Sequence, residues 1–147
     1  MTGAGFGLGL EDPSRNGVYF VEDADLDALA AAARDAGLAL RRVDLSGCRD
    51  KRALLPRFAV ALDIPAGRGR NWDGLADDLR DLSWIGGDGH VLLLEDALAL
   101  HEAPGTDFEV LLGILEDAAT AWAARGIPFR VFVALPETAF AALEDDA

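Results

Sequence analysis

The sequence predicts an α/β domain in which a small, largely parallel sheet is packed with helices. Segments of strand character alternate with segments of helical periodicity along the whole chain. His90-Val91-Leu92-Leu93-Leu94 is a continuous apolar run, the pattern of a strand buried on both faces. The strand candidates are separated by stretches long enough for the helical crossovers that parallel neighbours require. The length, 147 residues, and the 51% hydrophobic content fit one domain with a real core.

Residues 1–16 are Gly-rich and aperiodic and are expected to be a flexible leader. Residues 17–37 form a β-α unit that extends a smaller core. Gly17 to Val21 is its strand, and Asp23 or Asp25 caps a helix that runs to about Ala36 and stops at Gly37. The main domain is expected over 38–136. Leu38 to Leu45 is a strand whose alternation falters at Arg41 and Arg42. A helix follows over about 51–62, with Pro56 expected in its first turn, so that the regular part starts nearer Leu55. Ile64-Pro65 ends it.

Residues 66–70 read as a loop, and Asn71 starts a helix through about Leu82. A Gly-rich turn precedes the strand at His90. The helix from Phe108 to Arg125 and the strand from Pro128 to Leu135 complete the domain, with His101 in a loop before them. Residues 137–147 are a short acidic helix or tail.

Charge and cysteine content narrow the function. The net charge is −13, from 26 acidic and 13 basic residues, which argues against nucleic-acid binding and suits a basic partner reached by electrostatic steering. No apolar run is long enough to cross a bilayer, and the N-terminus lacks the charge and apolar core of a signal peptide. With the single cysteine, Cys48, these features predict a cytoplasmic protein without disulfides.

The helix 71–82 carries the argument. At about 100° per residue, Trp72, Leu75, Leu79 and Leu82 fall within an arc of about 80°. Asp73, Asp77 and Asp81 fall on the opposite face, and Asp78 lies beyond them. Asp73/Asp77 and Asp77/Asp81 are like-charge i, i+4 pairs, each costing a few tenths of a kcal/mol in an isolated helix. Asp81 also sits at the end where the helix dipole disfavours anions. A carboxylate ridge at such positions is either a solvated face or a surface kept for a partner.

Gly69-Arg70-Asn71-Trp72-Asp73-Gly74-Leu75, then Asp78-Leu79-Arg80-Asp81-Leu82 and Trp84, resembles the G-x-N-W/L-D-A-L motif of the barstar family and the helix after it. Val43-Asp44-Leu45, Val91 to Glu95 and Trp122 to Val133 resemble the flanking elements of that family in the same order. The resemblance covers about residues 40–135. It implies a small cytoplasmic inhibitor of a secreted, barnase-type ribonuclease, with the acidic helix and its preceding loop plugging a basic active site.

By position, Asp77 resembles the carboxylate that stands in for an RNA phosphate, and Asp73 the second contact aspartate. Asn71 and Gly69 resemble the loop and cap contacts. Ala76 occupies the place of the family's helix tryptophan, and Gly67 or Arg68 that of its loop aromatic. Arg68 and Arg70 add positive charge beside the ridge. Glu116 is the candidate for a second contact glutamate on the late helix.

The resemblance implies binding rather than catalysis, with no cofactor, and neither nucleic acid nor membrane as partner. The alternatives are an interaction or immunity protein of the same fold whose target is another toxin or basic partner, and an enzyme using the aspartate ridge with a metal. His90 and His101 have no Ser or Cys at a catalytic spacing. Neither Asp77-Asp78 nor Asp23-x-Asp25-x-Asp27 has the spacing of a calcium loop.

Overall fold

A computed structural model describes residues 9–65 and 71–139. Four parallel strands form one sheet in the order β1-β4-β3-β2: β1 (Gly17–Val21), β2 (Ala39–Asp44), β3 (His90–Glu95) and β4 (Phe129–Ala134). The two central strands are buried along nearly their whole length, as an apolar run without alternation requires.

Their side chains nonetheless sort by parity. Leu92 and Leu94 of β3, with Phe129, Val131 and Val133 of β4, enter the larger core. Val91 and Leu93, with Phe132 and Ala134, enter a second core on the other face.

Helices cover both faces. α1 (Leu26–Asp35) brings Leu26, Leu29, Ala30, Ala32 and Ala33 into the second core. α2 (Lys51–Ala61), α3 (Trp72–Asp81), α4 (Leu98–Glu102) and α5 (Asp107–Ala124) contribute to the larger one. Because β1 and β2 lie at opposite edges, α1 must traverse the sheet between them, and its alanines permit a close approach.

The arginines that interrupt the alternation of β2 belong to opposite faces, and each reaches a helix. Arg41 donates to the Ala61 carbonyl at the end of α2 (3.2 Å) and pairs with Asp63. Arg42 pairs with Asp27 of α1 (3.3 Å) and with Glu95 of β3. Charge on an edge strand is one way it avoids pairing with another chain.

Four expectations are corrected. Residues 9–16, the described part of the expected leader, pack on the body; residues 1–8 of that leader and 140–147 of the expected acidic tail lie outside the described residues. Leu10 is fully buried, and the Asn16 side chain donates to Ile127 O (2.9 Å) and Ala119 O (3.2 Å) while accepting from Phe129 N (2.8 Å). Pro56 lies in the sixth position of α2, because Asp50 caps the helix through Ala53 N (3.1 Å) and fixes its start at Lys51. His101 belongs to the short helix α4, and its ring meets Phe108 edge-on, centroids 5.1 Å apart. Asp78 is buried, 2% exposed, since its edge of the apolar stripe is covered where α3 packs on α5.

No helix among the described residues is long and apolar enough to cross a membrane.

Candidate functional site

The α3 helix begins and ends at well-defined caps. Asn71 has extended backbone, and its Oδ1 accepts from Gly74 N at 2.7 Å, which satisfies an otherwise orphaned amide of the first turn. At the other end Leu82 takes the left-handed conformation, φ 47°, while its side chain is buried. A β-carbon in that region costs energy, and burial of the leucine in the larger core offsets it.

The last carbonyls of α3 are met by the side chains of α5. Trp122 Nε1 donates to Leu79 O at 2.7 Å, and the Arg125 guanidinium donates to Arg80 O. Arg125 also lies over the Trp122 ring, 3.6 Å from its centroid, so one cation contacts both the ring and the negative end of α3. The ring also meets the buried His90, centroids 4.9 Å apart, and it stacks with Phe129 at 6.3 Å. Beyond the helix, Trp84 Nε1 donates to Leu62 O just past α2, at 2.8 Å. Leu75 and Leu79 complete the anchorage in the core. The helix is held along its apolar face and at its C-terminal end.

That anchorage leaves Asp73 and Asp77 exposed, with Ala76 half-buried beside them and Asp81 partly covered. Asp73 forms no ion pair among the described residues. Asp77 pairs with Arg80 of the next turn at 2.7 Å, with the two side chains 73% and 45% exposed. An ion pair this open to water contributes between zero and about 1 kcal/mol, so it leaves the Asp77 carboxylate available to a stronger cation. The sequence reading gave Arg80 no role. Its i, i+3 spacing from Asp77 was the available signal.

The other candidates divide. Gly69, with Gly67, Arg68 and Arg70, lies outside the described residues. Glu116 is not brought into the ridge. Its carboxylate accepts from Val18 N of the edge strand β1 at 2.8 Å, and this tie accounts for an acidic residue at that position of α5. Cys48 is buried, and burial raises its thiol above the ordinary value, as for an inert core cysteine. Among the described residues there is no group of three or more His, Cys, Asp or Glu arranged to hold a metal ion.

A family model described as Barstar (barnase inhibitor) matches residues 38–134, from the start of β2 through the end of β4. The match includes every residue of α3 and its caps. No curated protein and no solved structure matches the chain.

Proposed function

The chain belongs to the barstar family, and from that premise we propose that it is an inhibitor of a basic, barnase-type ribonuclease that it binds through α3 and the loop before it. The supporting observation is the exposed pair Asp73 and Asp77 on a helix whose other face and C-terminal end are fixed by Leu75, Leu79, Trp122 and Arg125. A ribonuclease must gather cations to bind phosphate. A rigid carboxylate presented to such a cluster forms charge-assisted hydrogen bonds without first having to be ordered. Asp77 is assigned the phosphate-like contact, Asp73 the neighbouring one, and Asn71 and Gly69 the approach surface between loop and helix.

The chain's net charge of −13 favours fast encounter with a cationic enzyme and makes association salt-sensitive. Ala76 in place of a large aromatic removes a packing contact beside the Asp73 and Asp77 pair. The target is therefore an enzyme that supplies its own bulk there, or one bound through charge more than through apolar burial. In this reading the protein works in the cytoplasm, protecting the cell that makes the enzyme.

Titration of the protein into a barnase-type ribonuclease, followed by RNA cleavage at low and high salt, tests the proposal. Stoichiometric inhibition that weakens with salt supports it. Undiminished cleavage at a large excess of the protein contradicts it for this class of enzyme.

A further inference from the structure

Lys51 and Arg52 open α2, where the helix dipole disfavours cations, and Arg49 immediately precedes its cap Asp50. Among the described residues the side chains of all three form no ion pair, although acidic residues outnumber basic ones two to one in this chain. Two nearby carboxylates are engaged with backbone: Asp50 accepts from Ala53 N, and Asp107 of α5 accepts from Lys51 N at 2.8 Å. Lys51 and Arg52 line a surface depression of about 320 Å³ together with Leu55, Pro56 and Asn71. Asn71 is also the cap of α3, so the basic depression adjoins the beginning of the acidic ridge.

Stability does not account for this placement. Cations at a helix N-terminus are unfavourable, and Pro56 removes the N–H that would bond Arg52 O in a regular helix. An interaction does account for it. Cations around a concave, partly apolar floor suit a carboxylate on a projecting segment, with Leu55 and Pro56 against its stem.

We infer that the depression between the start of α2 and Asn71 docks an acidic segment of the protein partner, so that the interface is bipolar: carboxylates on α3 meet cations, and Lys51 and Arg52 meet carboxylates. The identity of the partner rests on the inhibitor reading, but the chemistry of the depression does not. Opposed charges one element apart would also fix the orientation of the partner, since a rotated one would set like charges together.

The test compares the full chain with a Lys51→Glu/Arg52→Glu double variant, which keeps the fold because acidic side chains suit a helix N-terminus. Each is titrated with hexaglutamate peptide while backbone amide chemical shifts are followed, with inorganic phosphate and a single-stranded RNA oligonucleotide as competing probes. The inference expects shifts confined to residues 49–56 and 71, lost in the double variant and retained in Asp77→Ala. No such shifts, an equal response to phosphate, or a stronger one to RNA overturns it.

A parallel titration into barnase separates the two readings. Where barnase is inhibited, the double variant is expected to bind at least tenfold more weakly, and equal binding overturns the docking role. Peptide binding without inhibition of barnase retains the depression and removes the inhibitor reading.

Discussion

Trp122 Nε1 lies 2.7 Å from the carbonyl oxygen of Leu79, and this bond joins the long helix of the domain to the end of the helix that carries the acidic ridge. Leu79 O is among the last carbonyls of α3, which have few partners within the helix. The indole satisfies it from a buried position, so its loss leaves an acceptor unpaired away from water. Trp122→Phe is expected to lower stability by about 1–3 kcal/mol, measured by urea unfolding. An unchanged midpoint would show that the bond does not hold α3.

The Asn71 cap gives a smaller, local effect. Its Oδ1 satisfies Gly74 N over 2.7 Å. Asn71→Ala should cost about 1 kcal/mol, and Asn71→Asp or Asn71→Ser much less, because each retains an oxygen acceptor. Chemical denaturation of the three variants checks the order. Equal losses in all three would mean that Asn71 acts by packing rather than by capping.

Pro56 makes the opposite prediction. It stands inside α2 and cannot donate to Arg52 O. Pro56→Ala restores the donor and should raise stability by about 1–3 kcal/mol. A loss of stability would mean that the ring's packing outweighs the missing bond.

His90 sets a pH dependence. Burial lowers its imidazole from 6.5 to about 4, with Arg125 and Arg41 acting in the same direction. The folded state therefore disfavours the proton that the unfolded chain accepts near 6.5. The contribution of His90 is complete above that pH and is lost as pH falls from 6.5 toward 4. Urea midpoints between pH 7 and 4.5 should decline for the native sequence and stay flatter for His90→Phe. Parallel declines would assign the acid sensitivity to other groups.

Local signals made much of the molecule legible. The burial of β3 on both faces, the cap at Asn71 and the two faces of α3 follow from side-chain pattern over a few residues, and the structure contains them. Less legible features depend on distant partners. Asn16 bonds to Ile127 and Phe129, more than a hundred residues away, so residues 9–16 carry no periodic sign of their attachment. Glu116 carries no sequence sign of its bond to Val18 N, which depends on the position of β1 beside β4. Asp78 follows the ridge in the angular reading, and its burial depends on the packing of α3 on α5. Within the candidate site, the periodicity marks the ridge but not the Asp77–Arg80 pair, because an i, i+3 pair on an exposed helix face is common and weak.

The central claim is that Asp77 is a partner contact and not a structural group. The most direct test measures the inhibition constant of native and Asp77→Ala protein against a barnase-type ribonuclease, with thermal unfolding of both recorded in parallel. Removing one member of a desolvated charge pair costs about 3 kcal/mol or more, roughly two orders of magnitude in affinity. Removing an exposed carboxylate with a weak ion pair changes the fold little. The account predicts inhibition weakened about a hundredfold with a melting temperature almost unchanged. Native inhibition by Asp77→Ala, or a loss of binding that only follows a loss of stability, would contradict it.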